Sequence, residues 1–266
     1  KVINALSGVI PEMMGGSADL TTSNSTLIEN TKDFQAAQYD GRYIYFGVRE
    51  HAMGAIMNGL AVHKGVIPFA ATFLVFSDYL RPALRLSALS NLPGIWLFSH
   101  DSFNLGEDGP THQPVEHLTS LRLIPNVVTM RPADANETSE AWRTALKRRH
   151  APTVIALSRQ PLPVFDREKY NPASGTQKGA YVLGDLGEGK PRLILIASGS
   201  EVELIVRAGE QLASEGIPVR LVSFPSWELF KAQDQAYRDS VLLPEVKARL
   251  MVEARSEERR VGKECV

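Results

Sequence analysis

The 266-residue sequence predicts an α/β protein with a parallel-sheet domain followed by a smaller, incomplete α/β domain. Three observations carry that expectation. β-rich and helix-period segments alternate through the first 160 residues, which argues for a parallel sheet covered on both faces. Gln160–Lys178 then breaks the alternation with three prolines and mixed charge. A second strand–helix series comes after it. Composition agrees: 44% hydrophobic and 22% charged residues are those of a globular chain. A formal net charge of −1 gives no electrostatic footprint for nucleic acid or an anionic membrane. No apolar run approaches the roughly 20 residues of a membrane helix. The single cysteine, Cys265, allows no internal disulfide and fits a reducing compartment.

Taken in order, Lys1–Met14 lacks a signal peptide's layout and reads as a chain entered mid-domain. Tyr43–Val48 is β-rich and leads into a helix over Glu50–His63, with Ala52, Met53, Ile56, Met57 and Leu60 at helical spacing. Val66–Ala71 reads as a strand. Phe76–Leu89 reads as a helix that Pro82 starts or kinks. Gly94–Ser99 is a buried strand, His117–Ile124 a short helix and Val127–Met130 a strand. Asp134–Arg149 is a helix whose Asp134 and Glu137 have capping-box spacing, and Thr153–Leu157 is a further strand. After the linker, assigned to 161–178, the expected elements are a strand over Arg192–Ala197 and a helix over Ser200–Gly216. Ser200 and Glu203 have the spacing to cap that helix as a box. A strand over Val219–Phe224, a helix over Trp227–Leu243 and a strand over Leu250–Ala254 complete the series. Arg255–Val266 has seven charges and no apolar period, and reads as a foreign tail or a solvated terminal helix.

Open α/β sheets bind ligands beyond the carboxyl ends of their strands, so polar residues just after strands carry the most weight. Three runs qualify: Gly15–Leu20 with Ser23 behind it, Val48-Arg49-Glu50-His51, and His100-Asp101-Ser102 followed by Gly106–Pro114. Each also has a plainer reading. Gly15-Gly16 can make a turn, Glu50 can complement a helix macrodipole, and a Gly-, Asp- and Pro-rich run can be only a loop. Phe73, Phe76 and Tyr79, at i, i+3 and i+6, can be a core stripe.

Together these runs resemble the transketolase family in order and spacing. The resemblance rests on Gly47–Gly54, Thr72–Tyr79, His100-Asp101-Ser102 with Gly-Glu-Asp-Gly-Pro-Thr-His-Gln-Pro at 106–114, Leu157-Ser158-Arg159-Gln160 and Gly16–Leu20. It covers Lys1 to about Ala254. It implies a pyrimidine-binding domain for thiamine diphosphate over 1–160 and a truncated carboxyl-terminal domain over 179–254, with 255–266 outside the family pattern. It implies transfer of a two-carbon ketol unit from a ketose phosphate to an aldose phosphate, chemistry of the pentose phosphate pathway and Calvin cycle. By the same resemblance Glu50 hydrogen-bonds N1′ of the coenzyme's aminopyrimidine and serves catalysis, Phe76 stacks on that ring, and Phe73 and Tyr79 complete an apolar wall. Asp108 bonds a substrate hydroxyl and His112 polarises the donor's carbonyl region, both in catalytic roles. His100, Ser23 and Arg159 hold the sugar phosphate. Asp19 belongs to the same motif, with no assigned task, and His51, His63, His117 and His150 read as structural or surface histidines.

No metal ligand is expected in this chain. The resemblance puts the Mg2+ or Ca2+ ligands and the diphosphate site in an amino-terminal domain, so the chain is expected to be inactive alone. The implied setting is a homodimer in the cytoplasm or plastid stroma, acting on sugar phosphates, without nucleic acid or membrane. The neighbouring expectations are dihydroxyacetone synthase, 1-deoxyxylulose-5-phosphate synthase, or a separate non-catalytic pyrimidine-domain subunit.

Overall fold

Hydrogen-bonded strands sort the chain into a six-stranded and a four-stranded sheet. The computed structural model describes residues 1–102, 105 and 108–254; the tail assigned to 255–266 lies outside the described residues, as do Phe103, Asn104, Gly106 and Glu107. Two units emerge: Lys1–Val128 with Thr144–Arg159, and Thr129–Arg143 with Gln160–Val266.

The chain order up to the linker is α1 (Val2–Ser7), β1 (Met13–Ser17), α2 (Thr21–Asn24), β2 (Tyr43–Tyr45), α3 (Glu50–His63), β3 (Ile67–Phe73), α4 (Ser77–Leu89), β4 (Gly94–Ser99), α5 (His117–Arg122), β5 (Val128–Met130), α6 (Ala135–Lys147) and β6 (Pro152–Leu157). The strands lie in the order β2-β1-β3-β4-β6-β5. The pairs β2–β1, β1–β3, β3–β4 and β4–β6 are all parallel. Burial accounts for their composition: β3 from Pro68 onward and all of β4 are enclosed on both faces, so their side chains are continuously apolar or small.

Gly15 and Gly16 do not make a turn. They run through the middle of β1, where a Cβ on Gly15 would lie 1.9 Å from the Phe69 carbonyl oxygen and one on Gly16 1.7 Å from that of Ile44. The motif's glycines therefore let β1 sit between β2 and β3. α3 starts at Glu50 and ends at His63 as expected, but it is rotated from the expected face: Met53, Gly54, Met57, Asn58 and Ala61 are buried, whereas Ala52 and Ile56 are exposed. Pro82 neither starts α4 nor ends it; it lies inside, beyond the first turn.

The second unit contains β7 (Tyr181–Leu186), β8 (Leu193–Ala197), α7 (Glu201–Ser214), β9 (Val219–Ser223), α8 (Trp227–Lys231), α9 (Gln235–Leu242) and β10 (Arg249–Val252). Its strand order is β10-β8-β9-β7, with β10 and β9 parallel to β8 and β7 antiparallel to β9. The sequence reading missed β7, whose Gly184 and Asp185 weaken the β signal and whose register shifts between Val182 and Gly184. The single helix expected over Trp227–Leu243 is two, because Asp234 accepts a hydrogen bond from Tyr237 N at 2.7 Å and starts α9 anew. The expected Ser200 box does not form either. Ser200 is in helical conformation and its hydroxyl donates to Glu201 Oε1 at 2.6 Å, while Glu201 pairs with the fully buried Arg131.

The capping box at Asp134 forms in a shifted version. Asp134 Oδ1 accepts from Glu137 N at 2.8 Å, and Glu137 Oε2 accepts from Ala133 N, one residue earlier than the usual partner, at 2.8 Å. Glu137 Oε1 also accepts from Tyr181 and Ser223, at 2.8 and 2.6 Å, and Arg167 donates to Asp134 at 2.6 Å. These buried bonds group the first half of α6 with the four-stranded sheet.

Candidate functional site

Parallel strands bring their carboxyl ends to one edge, and the register makes several of those ends level. Phe73 pairs with Ser99, and Ser99 with Leu157, across β3, β4 and β6. Ser17 in β1 pairs with Ala71 in β3 and Tyr45 in β2. The sheet edge therefore collects Glu50 after β2, Asp19 and Ser23 after β1, Phe73 and Phe76 at the end of β3, His100 after β4 and Arg159 after β6. With β1 between β2 and β3, the order of strands reverses at β1/β3, where open α/β sheets form their ligand crevice.

Aromatic rings line this edge. His100 stacks on Phe73 with centroids 3.7 Å apart, and Phe73 lies parallel to Phe76 at 5.8 Å. His112, in a 3-10 turn at Pro110–His112, stands edge-on to Phe76 at 5.2 Å and to Phe73 at 6.1 Å. Tyr79 is tilted 6.2 Å from Phe76 and 63% exposed. The i, i+3, i+6 stripe is thus graded: Phe73 is buried beneath His100, Phe76 is half-buried and Tyr79 faces out.

The polar groups fall on the β4–β6 side. Arg159 Nε lies 3.6 Å from Asp108 Oδ2. Burial pushes the His100 imidazole below its usual pKa; Asp108 and Asp101 oppose that shift, and Arg159 and His112 reinforce it. His112 Nδ1 shares a hydrogen bond with Thr111 Oγ1 at 2.9 Å. Ser23 is exposed on α2, and Asp19 is exposed with a left-handed φ of 61°.

Glu50, at the first position of α3, is 7% exposed, and among the described residues none donates a hydrogen bond to its carboxylate. A carboxylate in a largely buried residue that no protein donor occupies is free to accept from a ligand donor.

The sequence reading gave Asn24 and Ser99 no part in the site, and took Ser17 only as a member of its Gly15–Leu20 run, without a task. Asn24 Nδ2 donates to Ser99 Oγ at 2.7 Å, and Ser99 Oγ bonds His100 Nδ1 at 2.9 Å. A small polar side chain inside an apolar strand end gave no periodic signal, although its place just before His100 was a clue. His117 is buried, with Nε2 3.1 Å from Asp78 Oδ2. The ligand-type atoms of Asp78, Glu116 and His117 lie within 4.8 Å of one another, the two carboxylates being exposed. No helix among the described residues is long and apolar enough to cross a membrane.

Known proteins resemble the chain along nearly its whole length. Residues 1–164 match the family model of the transketolase pyrimidine binding domain, and residues 179–261 that of the transketolase-like TK C-terminal domain. A transketolase of Geobacillus stearothermophilus is 51% identical over 99% of the chain and 40% of its own length. A chloroplastic transketolase of Craterostigma plantagineum is 51% identical over 96% of the chain and 49% of its own length. The crystal structure of Pichia stipitis transketolase in complex with sedoheptulose-7-phosphate superposes with a TM-score of 0.90 at 44% identity, covering 97% of this chain and 38% of that one. The chain thus spans between two fifths and half of these curated relatives, and the matches do not favour the synthase alternatives. Both domain models in their family order, and about half of all positions identical along the chain, show that the chain belongs to the transketolase family.

Proposed function

We propose that the sheet edge holds the aminopyrimidine of thiamine diphosphate and a sugar phosphate, as one half of a ketol-transferring site. The observation that carries this reading is Glu50: a largely buried residue at a strand-to-helix junction, without a donor to its carboxylate among the described residues, on the sheet edge where the strand order reverses. The residues present fit the group. The Glu50 carboxylate and the half-buried Phe76 ring would give a flat, basic heterocycle an acid–base partner and a stacking surface. When bound, thiamine diphosphate supplies the carbon nucleophile that carries the two-carbon unit.

Glu50 holds a proton at N1′ and so sets the protonation of the ring. Phe76 fixes the ring plane. Phe73, covered by His100, acts through that stack instead of forming a free wall, and Tyr79 closes the outer side. His112, edge-on to Phe76, donates toward the donor's carbonyl region. Asp108 accepts from a substrate hydroxyl, and Arg159, His100 and Ser23 receive the phosphate, with Arg159 as the charged anchor. We assign the divalent cation no ligand among these residues.

We also propose a homodimer, with the cytoplasm or plastid stroma as its compartment. α3 is apolar on both sides: Met53 and Met57 face the core, while Ala52, Ile56 and Val62 are exposed. A helix apolar all round is one that something covers. A second copy laid on α3 would also shield Glu50 at its start.

The test is Glu50→Gln in a full-length enzyme carrying this segment. Ketol transfer is expected to fall by about 100-fold or more, as for the loss of an acid–base group, with coenzyme affinity held within about tenfold. Near-normal turnover overturns the reading.

A further inference from the structure

We infer that Asn24 and Ser99 are positioning residues that lock His100 in one tautomer, with its ring proton on Nε2. The inference rests on the reading of His100 as a phosphate-side ligand only for its consequence in catalysis; the tautomer itself is set by hydrogen-bond direction.

The direction starts at a group that can only donate. The backbone N–H of Leu20 donates to Ser17 Oγ at 3.2 Å. Ser17 Oγ stands 2.7 Å from Asn24 Oδ1. Ser17 is fully buried, so if its oxygen accepted from both neighbours, its own proton would be left without an acceptor, a costly arrangement. Its proton therefore goes to the Asn24 carbonyl oxygen. That orients the amide, with Nδ2 donating to Ser99 Oγ at 2.7 Å. Ser99 Oγ, having accepted, gives its single proton to the nearest remaining acceptor, His100 Nδ1, at 2.9 Å. An imidazole that accepts at Nδ1 and is neutral carries its hydrogen on Nε2.

Two further features hold the arrangement. His100 has a left-handed φ of 60°, and its ring lies on Phe73 with the planes 26° apart, so the imidazole has little freedom to turn. Burial favours the neutral ring, while the charged or titrating groups around it, Asp101, Asp108, His112 and Arg159, act in opposing directions. The result is a neutral donor at fixed angle. It supplies direction toward an oxygen of the ligand, and Arg159 supplies charge.

The test is two-bond 1H–15N correlation of histidine-labelled chain near pH 7.5, with the His100 signals assigned by loss in His100→Gln. Wild type is expected to show Nδ1 unprotonated and Nε2 protonated. Ser99→Ala and Asn24→Ala are expected to give a tautomer mixture, and Ser99→Thr to restore the single form. A proton on Nδ1 in the wild type, or an unmixed Nε2–H form in both alanine variants, overturns the inference. In the full-length enzyme, Asn24→Ala is expected to raise KM severalfold for phosphorylated donors while kcat changes less than twofold. If the tautomer behaves as stated and KM does not move, the positioning relay stands and the phosphate role of His100 falls.

Discussion

Arg159 Nε lies 3.6 Å from Asp108 Oδ2, so two residues given separate tasks by sequence form one charged pair. The side chains are 38% and 30% exposed, and such a pair adds at most about 1 kcal/mol to stability. Its expected effect is on substrates. Arg159→Ala is expected to raise KM for phosphorylated sugars more than for unphosphorylated ones, and Asp108→Ala to weaken discrimination by hydroxyl stereochemistry. Because each residue holds the other, the double variant is expected to lose less than the two single losses combined, by about 0.5–3 kcal/mol of coupling. Steady-state kinetics across a double-mutant cycle in the full-length enzyme measures this, and strictly additive losses would refute the coupling.

Binding of the coenzyme by these 266 residues alone is expected to be weak. One aromatic stack and one hydrogen bond, set against the entropy of association, correspond to affinity of about millimolar at best. Titration of thiamine diphosphate with magnesium into the purified chain checks this, first alone and then mixed with the amino-terminal region of a transketolase. Micromolar binding by the chain alone would contradict the expectation.

The exposed face of α3 predicts assembly. Ile56 is 46% exposed among other apolar residues, so Ile56→Glu is expected to shift the proposed dimer of the full-length enzyme toward monomer with little loss of folded structure. Sedimentation velocity gives the answer, and an unchanged dimer removes α3 from the interface.

Glu137 predicts a pH dependence of stability in the second unit. Burial raises its carboxyl above the usual value, against the lowering effect of bonds from Ser223, Ala133 N and Tyr181. A carboxyl raised on folding binds more protons in the native state, so stability falls as pH rises from the unfolded value near 4.5 through the folded one. Glu137→Gln cannot lose a proton and is spared that fall. Its deficit relative to wild type is therefore expected to shrink as pH rises across this window. Urea denaturation at a series of pH values tests the sign, and a deficit that widens would show that Glu137 is charged in the folded state.

Gly16→Ala is expected to cost about 3 kcal/mol or more, at the upper end of overpacking effects, because its new Cβ meets the Ile44 backbone oxygen and not a side chain that can move. Gly189→Ala, where no atom lies within 4 Å, has no clash, and its cost is limited to that of a φ of 90°. Thermal melts of the two variants should separate widely, and equal melting temperatures would rule out steric close approach as the reason for Gly16.

Much of the fold was legible because its signals are local. The apolar runs of β3 and β4 and the start of α3 at Glu50 are properties of neighbouring residues, and parallel connection brings the residues just after each strand to one edge. The runs holding Glu50, His100, Asp108 and His112 could be singled out by their place after strands, whereas Phe76, Arg159 and every assigned role came from the family resemblance. Elsewhere local signals misled. The spacing of Ser200 and Glu203 suggested a cap, but Arg131, 70 residues before Glu201, takes the groups there. Only tertiary structure decided that His100 would cover Phe73, that Asn24 would reach Ser99 across 75 residues, and that Ser223 would bond Glu137 across 86. The physical reason is the same in each case. Periodicity reports which face of an element is buried, whereas the partner of a buried polar group depends on strand order and register, which bring together residues with no shared local pattern.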